Sequence, residues 1–304
     1  MLSENTMENL RSISKRNSSS VLFDEPLAKH TTISIGGPAE VLYMPSDPEE
    51  LSELLEFLRR GSIDFFVLGN GSNVLVPDEG LDKVVIKLQG PYFEKKVFTD
   101  NYVTAGAGTK LSSLIKECCM RGLSGLEGLI GIPGTVGGAL FRNASYKSSI
   151  SDPLVKVLVI DRDSELRWVD KEEISFTYRA SSFGKAEIIL EAIFCLDSQP
   201  RDSIDQRMKE YFKEKLESQP LGARTLGSVF KNPGEDDRKS WELIDKCGLR
   251  GRLRGGAKVS QKHANFIVNT GGATSQDFKT LLDEVSSAVK EKFSIELTPE
   301  VEIL

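Results

Sequence analysis

The spacing of apolar residues predicts a chain in which helices and strands alternate. The stretch "SDPEELSELLEFLRRG" predicts a helix with Ser46 as its N-cap, Pro48 in its first turn and Glu49 three residues after the cap. Short apolar runs predict strands at "DFFVLG", "NVLVPD", "KVVIKL", "LVKVLVID" and "EIILEAIFCLD". Between them, "VTAGAGTKLSSLIKECCMRGL" predicts a strand, a glycine turn and a helix.

The pattern changes near residue 198, where two longer amphipathic helices follow. The first carries Met208, Tyr211, Phe212 and Leu216 on one predicted face. The second has apolar positions at Phe278, Leu281, Leu282, Val285, Val289 and Phe293, and the final "TPEVEIL" predicts a short closing strand. We therefore expect a loosely ordered polar lead-in at 1–27, one domain at 28–198 and a second at 199–304.

Composition narrows the functional class. The chain has 304 residues with a formal net charge of −6, which argues against broad binding of nucleic-acid phosphates. Two histidines and four cysteines without a CxxC spacing predict no metal site. The N-terminus lacks the continuous apolar core of a signal peptide, so we expect a cytoplasmic protein without membrane partners.

Three glycine clusters lie in the first half, at "LGNGSNVLV" (68–76), "AGAGTKL" (105–111) and "GIPGTVGG" (131–138). None is a P-loop or a complete dinucleotide fingerprint, and each alone is typical of a tight turn. Together they favour a large dinucleotide, because glycines let backbone N–H groups approach a pyrophosphate. Ser72 and Asn73 would add donors, and Ile132 and Val136 could face a flat ring system.

Seven motifs, two of which include glycine clusters, occur in one order: "TTISIGGPA", "LGNGSNVLV", "GLEGLIGIPGTVGGAL", "YRASSF", "GSVFKNP", "GAKVSQKHANFIVN" and "PEVEIL". From about residue 28 to 304 the chain resembles the UDP-N-acetylenolpyruvoylglucosamine reductases, the MurB-type flavoenzymes of peptidoglycan synthesis. The short interval between Arg179 and Ser228 resembles their shorter, second type.

The resemblance implies an α+β protein. A FAD-binding domain of the vanillyl-alcohol-oxidase (PCMH) type would precede a smaller α+β domain that binds the UDP-sugar. FAD would be the cofactor and NADPH the co-substrate. The enolpyruvyl group of UDP-N-acetylglucosamine enolpyruvate would take a hydride from the flavin and a proton from a serine, which gives UDP-N-acetylmuramate. A monomer is expected.

The motif match also assigns residues. Ser228 would be the proton donor, Arg179 would stabilise the charge that develops at the substrate carboxylate, and Glu300 would be the second acidic member of the site. Lys231 and Asn232 would bind the UDP phosphates. The cofactor would contact Gly69, Asn70, Gly71, Ser72, Asn73, Ile132, Gly134, Val136 and Gly137.

Some alternatives stay open. Glu302 competes with Glu300, because strand alternation puts both on one face. His263 lies in a family motif but is expected to be structural. The rival functions are a flavin oxidase of the same fold that acts on another alcohol or sugar, and a non-enzymatic flavin or nucleotide-sugar binding protein. The chain departs from the family pattern after Asn143-Ala144, where it continues "SYKSSISD".

Overall fold

A computed structural model describes residues 2–17, 20–161, 163–184, 187–234 and 238–304. Over these residues the chain forms seven α-helices, α1 to α7, which span Glu4–Asn17, Pro48–Arg60, Leu111–Met120, Val136–Phe141, Arg201–Ser218, Ser240–Lys246 and Ser275–Phe293. It also forms nineteen strands, β1 to β19, which span Ser20–Pro26, Pro38–Met44, Phe65–Val67, Val74–Leu75, Leu81–Ile86, Lys96–Thr99, Tyr102–Gly106, Leu123–Ser124, Leu154–Ile160, Leu166–Asp170, Phe176–Thr177, Ala180–Ser181, Ile188–Cys195, Asp197–Ser198, Thr225–Ser228, Leu253–Arg254, Ala257–Val259, Phe266–Asn269 and Glu302–Ile303.

The chain divides into two compact units, and both are discontinuous in sequence. The first contains Met1–Asp24, Glu40–Asn70 and Asp82–Lys213, and the second contains Glu25–Ala39, Gly71–Leu81 and Glu214–Leu304. The sequence pattern predicts continuous domains with a change at residue 198. Periodicity along one segment carries no information about which distant segment it packs against, so the interleaving has no sequence signal.

The first unit is built on two sheets. One has the strand order β10-β9-β13-β7-β6, with antiparallel pairing throughout, and it packs with α3 and α4 around an apolar cluster that includes Leu114, Val136 and Phe194. The other has the order β1-β2-β5-β3, with most of its residues in this unit, and β3 runs parallel to β5. Its cluster includes residues of α1 and α2.

The N-terminal segment corrects the expectation of a loosely ordered lead-in at 1–27. Helix α1 buries Leu10 completely and Ile13 almost completely, in the same cluster as Leu51 and Leu54 of α2. The spacing of Leu10 and Ile13 is the helical i, i+3 step, which the serine-rich composition obscures. Met1, Ser18 and Ser19 lie outside the described residues.

Helix α2 begins one residue later than predicted. The N-cap is Asp47, whose Oδ1 accepts from the N–H of Glu50 at 2.8 Å. The Glu50 carboxylate turns back to the N–H of Ser46, also at 2.8 Å. The Asp47 side chain therefore satisfies one N–H group that the first turn leaves without a helical partner, and the Glu50 carboxylate ties Ser46, just before the helix, to the same turn.

Only part of the predicted apolar face of helix α5 is packed against the core. Met208 and Tyr211 are partly buried against the core of the first unit. Phe212 and Leu216 are 42% and 48% exposed, so they do not continue that contact. In α7 the predicted positions Phe278, Leu281, Leu282, Val285 and Val289 are all buried, and Phe293 is partly buried beside them.

The second unit packs α6 and α7 with an antiparallel sheet of order β15-β18-β17-β16. Distant segments join it through hydrogen bonds: the N–H of Gly37 donates to Pro77 O at 2.8 Å, and Asn269 Nδ2 donates to Ile33 O at 2.9 Å. The predicted closing strand, β19, pairs in parallel with β4. Across the described ranges, no helix combines the length and the apolar character that crossing a membrane requires.

Candidate functional site

Gly69 of the first glycine cluster meets the second and third clusters within the first unit. Leu111 N donates to Gly134 O at 3.0 Å, and Val136 N donates to Thr109 O at 2.9 Å, so the second and third clusters are paired through their backbones. A Cβ added at Gly69, in the first cluster, would lie 3.0 Å from Thr135 Oγ1. Only a residue without a side chain fits here without displacing Thr135.

This convergence fits a phosphate-bearing cofactor. Among the described residues no hydrogen bond uses the N–H of Gly69 or Asn70, and both residues are half-buried. Buried or half-buried N–H groups are normally paired, so two such donors in a glycine loop suit an anionic ligand such as the pyrophosphate of FAD. Ile132 is also only partly buried and offers apolar surface.

Val136 does not have the predicted ring contact. Its side chain is fully buried in the core of the first unit, and its N–H is used by Thr109. The helix α4 begins at Val136 and is capped by Thr135, so the residue turns inward instead of facing a ligand. For Gly134 and Gly137, which flank it, the cofactor role stays a prediction.

The continuation of the first cluster, residues 71–73, belongs to the second unit. Gly71 O accepts from Thr32 N at 3.0 Å, and a Cβ at Gly71 would lie 2.2 Å from His30 O. Asn73 Nδ2 donates to Glu300 O at 3.0 Å, while Asn73 O accepts from Glu302 N at 3.0 Å. Packing therefore explains Gly71 and Asn73 without a ligand, and the cofactor role of Gly71, Ser72 and Asn73 stays a prediction.

A β-bulge sets the direction of Ser228. Strand β15 pairs Thr225 with Val268 and Ser228 with Phe266, so it has one extra residue over this interval. Gly227 takes a φ of +82°, which favours glycine. Because of the extra residue, Leu226 and Val229 are both buried in one apolar cluster while Ser228 is half-buried. Regular alternation would have put Ser228 on the face of Leu226.

The residues after Ser228 are hydrogen bonded on both sides. Asn265, which is 4% exposed, accepts from Phe230 N through Oδ1 at 3.0 Å and donates from Nδ2 to Phe230 O at 2.8 Å. On the other side, Lys231 N donates to Thr298 O at 2.9 Å and Glu300 N donates to Val229 O at 2.8 Å. The structure thus brings Glu300 next to the segment that carries Ser228.

The choice between Glu300 and Glu302 stays open. Both are half-buried, and buried Val301 lies between them in sequence. The alternation that the sequence analysis expected is therefore present. Their backbones differ, since Glu300 N bonds to Val229 O and Glu302 pairs with Val74. The backbone of Glu300 is bonded directly to the chain that follows Ser228.

Asn232 has a structural contact. Its Oδ1 accepts from Ser240 N at 3.1 Å, at the first residue of α6. Ser240 also donates through Oγ to Lys231 O at 2.5 Å, so this turn is tied to the start of the helix. These bonds fix the main chain at Lys231, three residues after Ser228, and give Asn232 the role of a helix-terminus acceptor. Phosphate binding by either residue stays a prediction.

Arg179 lies in the first unit, at the turn of a two-stranded hairpin. Strands β11 and β12 pair Thr177 with Ala180, which leaves Tyr178 and Arg179 as the turn residues. Arg179 is half-buried, and its Nη1 donates to Ser145 Oγ at 2.9 Å and Ser145 O at 3.0 Å. Ser228, Lys231 and Glu300 belong to the second unit.

His263 is a packed histidine. Its ring lies edge-on to Phe266 with centroids 4.8 Å apart, and its Nδ1 accepts from Asn265 N at 3.3 Å. Burial, together with the positive charge of Arg250, lowers the pKa of His263 to about 4. A neutral ring that accepts at Nδ1 supports the structural role that the sequence analysis expected.

Two residues that the sequence analysis left without a role are central to this geometry. Asn265 appeared only as part of the motif "GAKVSQKHANFIVN", and Ser145 only in the segment that departs from the family pattern. An asparagine directly before the apolar run Phe266–Val268 is a usable signal, because an amide that is buried there must be paired. Ser145 carries no such signal.

Comparisons with known proteins agree along almost the whole chain. A family model for a FAD binding domain matches residues 39–170, and one for the C-terminal domain of UDP-N-acetylenolpyruvoylglucosamine reductase matches residues 219–304. The chain is 38% identical over 298 residues to the protein named UDP-N-acetylenolpyruvoylglucosamine reductase from Bacillus subtilis, with 97% of each chain covered. It is 42% identical over 294 residues to that from Carboxydothermus hydrogenoformans, with 96% of each covered.

Solved structures give the same result. The crystal structure of the UDP-N-acetylenolpyruvylglucosamine reductase from Thermus caldophilus matches with a TM-score of 0.80 and 36% identity, and covers 94% of this chain and 98% of that one. An alkyldihydroxyacetonephosphate synthase matches with a TM-score of 0.50 and 17% identity over 65% of this chain and 41% of that one, which shows the fold alone. The expected α+β fold with a FAD-binding domain of the vanillyl-alcohol-oxidase type is confirmed.

The lowered pKa of His263 predicts how the stability of the fold depends on pH. The unfolded chain binds a proton near pH 6.5 and the folded chain only near pH 4, so stability is lost as the pH falls through this window. After allowance for partial exposure, we expect the loss to be about 2 kcal/mol. Urea unfolding at pH 7.5 and 5.0 should show a larger drop for the wild type than for His263→Gln.

A nuclear magnetic resonance titration checks the same prediction directly. The chain has two histidines, so His30→Gln serves as the control that assigns the two ring signals. The remaining His263 signal should stay that of a neutral ring down to about pH 5. A midpoint near 6.5 would contradict the buried, desolvated environment.

Proposed function

The chain belongs to the UDP-N-acetylenolpyruvoylglucosamine reductase family, and we propose that Ser228, Arg179 and Glu300 carry out its reaction with NADPH as the electron source. The protein is a FAD-dependent oxidoreductase that reduces UDP-N-acetylglucosamine enolpyruvate to UDP-N-acetylmuramate in peptidoglycan precursor synthesis. The family assignment sets aside the two rival functions, a flavin oxidase and a non-enzymatic binding protein.

The chemistry requires one hydride and one proton. When bound, FAD supplies the hydride, which adds to the CH₂ carbon of the enolpyruvyl group. The electron pair of the C=C bond moves toward the carboxylate, and the carbon that bears the ether oxygen then takes a proton. The product gains both hydrogens across the double bond, and NADPH supplies the two electrons. Charge is greatest at the carboxylate between the two steps, so stabilisation there accelerates the reaction.

We assign the FAD pyrophosphate to the N–H groups of Gly69 and Asn70. The close approach of Gly69 to Thr135 and the pairing of the second and third glycine clusters support this assignment. Ile132 would lie against the ring system. Gly134 and Gly137 would keep the backbone close to the cofactor, and Gly71, Ser72 and Asn73 would extend the same loop.

Arg179 is the proposed partner of the substrate carboxylate. A guanidinium presents a planar fork of donors that matches two carboxylate oxygens, and it remains charged at all relevant pH values. Its position at a hairpin turn and its two bonds to Ser145 support this role, because they fix the side chain before a ligand binds. Preorganised charge acts on the enolate without reorganisation during the reaction.

Ser228 is the proposed proton donor, and the bulge at Gly227 is the observation that carries this assignment. The bulge leaves Ser228 half-buried between buried Leu226 and buried Val229, where a hydroxyl would otherwise have entered the core. A serine is a weak acid, but an enolate is a strong base, so the transfer is favourable when the alkoxide is stabilised. Lys231, three residues on, is the proposed source of that stabilisation, and it would share the UDP phosphates with Asn232.

Glu300 is the proposed second acidic residue. Its backbone bond to Val229 O at 2.8 Å supports a position near Ser228. There it would polarise the substrate or take part in moving the proton. A monomeric state and a cytoplasmic location complete the proposal, and the acidic net charge of −6 fits the absence of a nucleic-acid partner.

Replacing Ser228 with alanine tests the proton role. We expect Ser228→Ala to keep NADPH-driven reduction of the flavin while product formation falls at least about 10³-fold, since one positioned acid contributes 10² to 10⁴. Anaerobic stopped-flow absorbance follows both half-reactions separately. Ser287→Ala, on the exposed face of α7, is the matched control. Product formed at the wild-type rate by Ser228→Ala would refute the role.

The two glutamates give a matched pair of variants. Glutamine keeps the size and hydrogen-bonding ability of the side chain but removes the charge and the acid. We expect Glu300→Gln to slow single-turnover product formation by about 10²-fold and Glu302→Gln to change it by less than about threefold. The reverse ranking would move the acidic role to Glu302.

A further inference from the structure

Ser145 contacts the guanidinium of Arg179 with two acceptors. Its side-chain Oγ lies 2.9 Å from Arg179 Nη1, and its main-chain oxygen lies 3.0 Å from the same nitrogen. Two acceptors on one nitrogen fix the rotation of the guanidinium plane as well as its distance. Hydrogen bonds to a charged donor are also stronger than those between neutral groups.

The backbone of Arg179 is in an unusual conformation. Its φ is +59°, at the second turn position of the hairpin, where glycine or asparagine is usual. A positive φ costs free energy for a residue with a long side chain, so a role for Arg179 that depends on the direction of its side chain would explain why it is found here. Backbone strain of this kind persists only where the surroundings fix it, and it is concentrated at functional sites.

The surroundings of the hairpin come from the segment just before Ser145. Asn143 Nδ2 donates to Thr177 O at 3.1 Å, and Ser181 Oγ donates to Phe141 O at 2.8 Å. Asn143 is itself held by Ser151 Oγ at 2.8 Å and is buried. Both strands of the hairpin are therefore tied to residues 141–143, and Ser145 follows two residues later on the same frame.

We propose that Ser145 is a positioning residue that aims the Arg179 guanidinium at the substrate carboxylate. The inference rests on the proposed role of Arg179. An arginine side chain has several rotatable bonds, and holding one end before the ligand arrives reduces the entropy that binding removes. The hydroxyl acts through Arg179, so its loss should affect ligands and steps that involve the carboxylate.

Binding of the product, UDP-N-acetylmuramate, tests the proposal at equilibrium. We expect Ser145→Ala to weaken binding to the FAD-loaded protein by about tenfold in titration calorimetry, because one hydrogen bond to a charged group is lost while the main-chain acceptor remains. Ser145→Thr keeps the hydroxyl and should bind within about twofold of the wild type. Ser149→Ala, in the same loop, is the control for a local change and should bind like the wild type.

Single-turnover kinetics give a second readout. Ser145→Ala should slow product formation by about tenfold and leave NADPH-driven flavin reduction unchanged. Ser145→Thr should restore product formation. The proposal is overturned if Ser145→Ala binds the product as tightly as the wild type, or if Ser145→Thr is as impaired as Ser145→Ala. Failure of the proposed function is distinguishable, because the wild type would then not consume NADPH when the enolpyruvyl substrate is added.

Discussion

The hydrogen bonds around Phe230 hold together the part of the second unit that carries the proposed acid. Asn265 pairs with both backbone groups of Phe230, and the chain on the other side bonds through Thr298 O and Glu300 N. Each buried bond contributes about 1 kcal/mol, but an unpaired amide at Asn265 would cost more than one bond gains. The segment that follows Ser228 is therefore held by hydrogen bonds on both sides, and Glu300 is tied to it.

The same constraint supports the proposed proton-donor role of Ser228. Ser228 is chemically an ordinary serine. What distinguishes it is the direction of its side chain and the residues around it. The bulge at Gly227 turns it out of the core, and the paired chain beyond it prevents the bulge from sliding along the strand. The proposed role of Arg179 follows the same principle in the first unit, where the hairpin and the bond to Ser145 would aim a flexible side chain. In both places backbone pairing supplies the precision.

The sequence predicted the family and the fold class. It also predicted the elements that have clear periodicity, such as α7. It failed where composition concealed packing. The largely polar helix α1 buries Leu10, and Val136 is buried in the core because Thr135 caps the helix that begins there. It could not predict the discontinuous units, since periodicity does not report long-range pairing. The proposed role of Ser145 could not be predicted from the sequence, because its contact with Arg179 depends on a hairpin 34 residues away.

The most direct test of the account is the rate of product formation in a single turnover by Asn265→Ala, with flavin reduction by NADPH as the internal control. If the paired chain around Phe230 positions Ser228, product formation should fall by about 10²-fold, as expected for a small misplacement of a reacting group. Flavin reduction should keep its wild-type rate, because that step does not use Ser228. Product formation at the wild-type rate would contradict the account, since Ser228 and Glu300 would then not depend on this constraint.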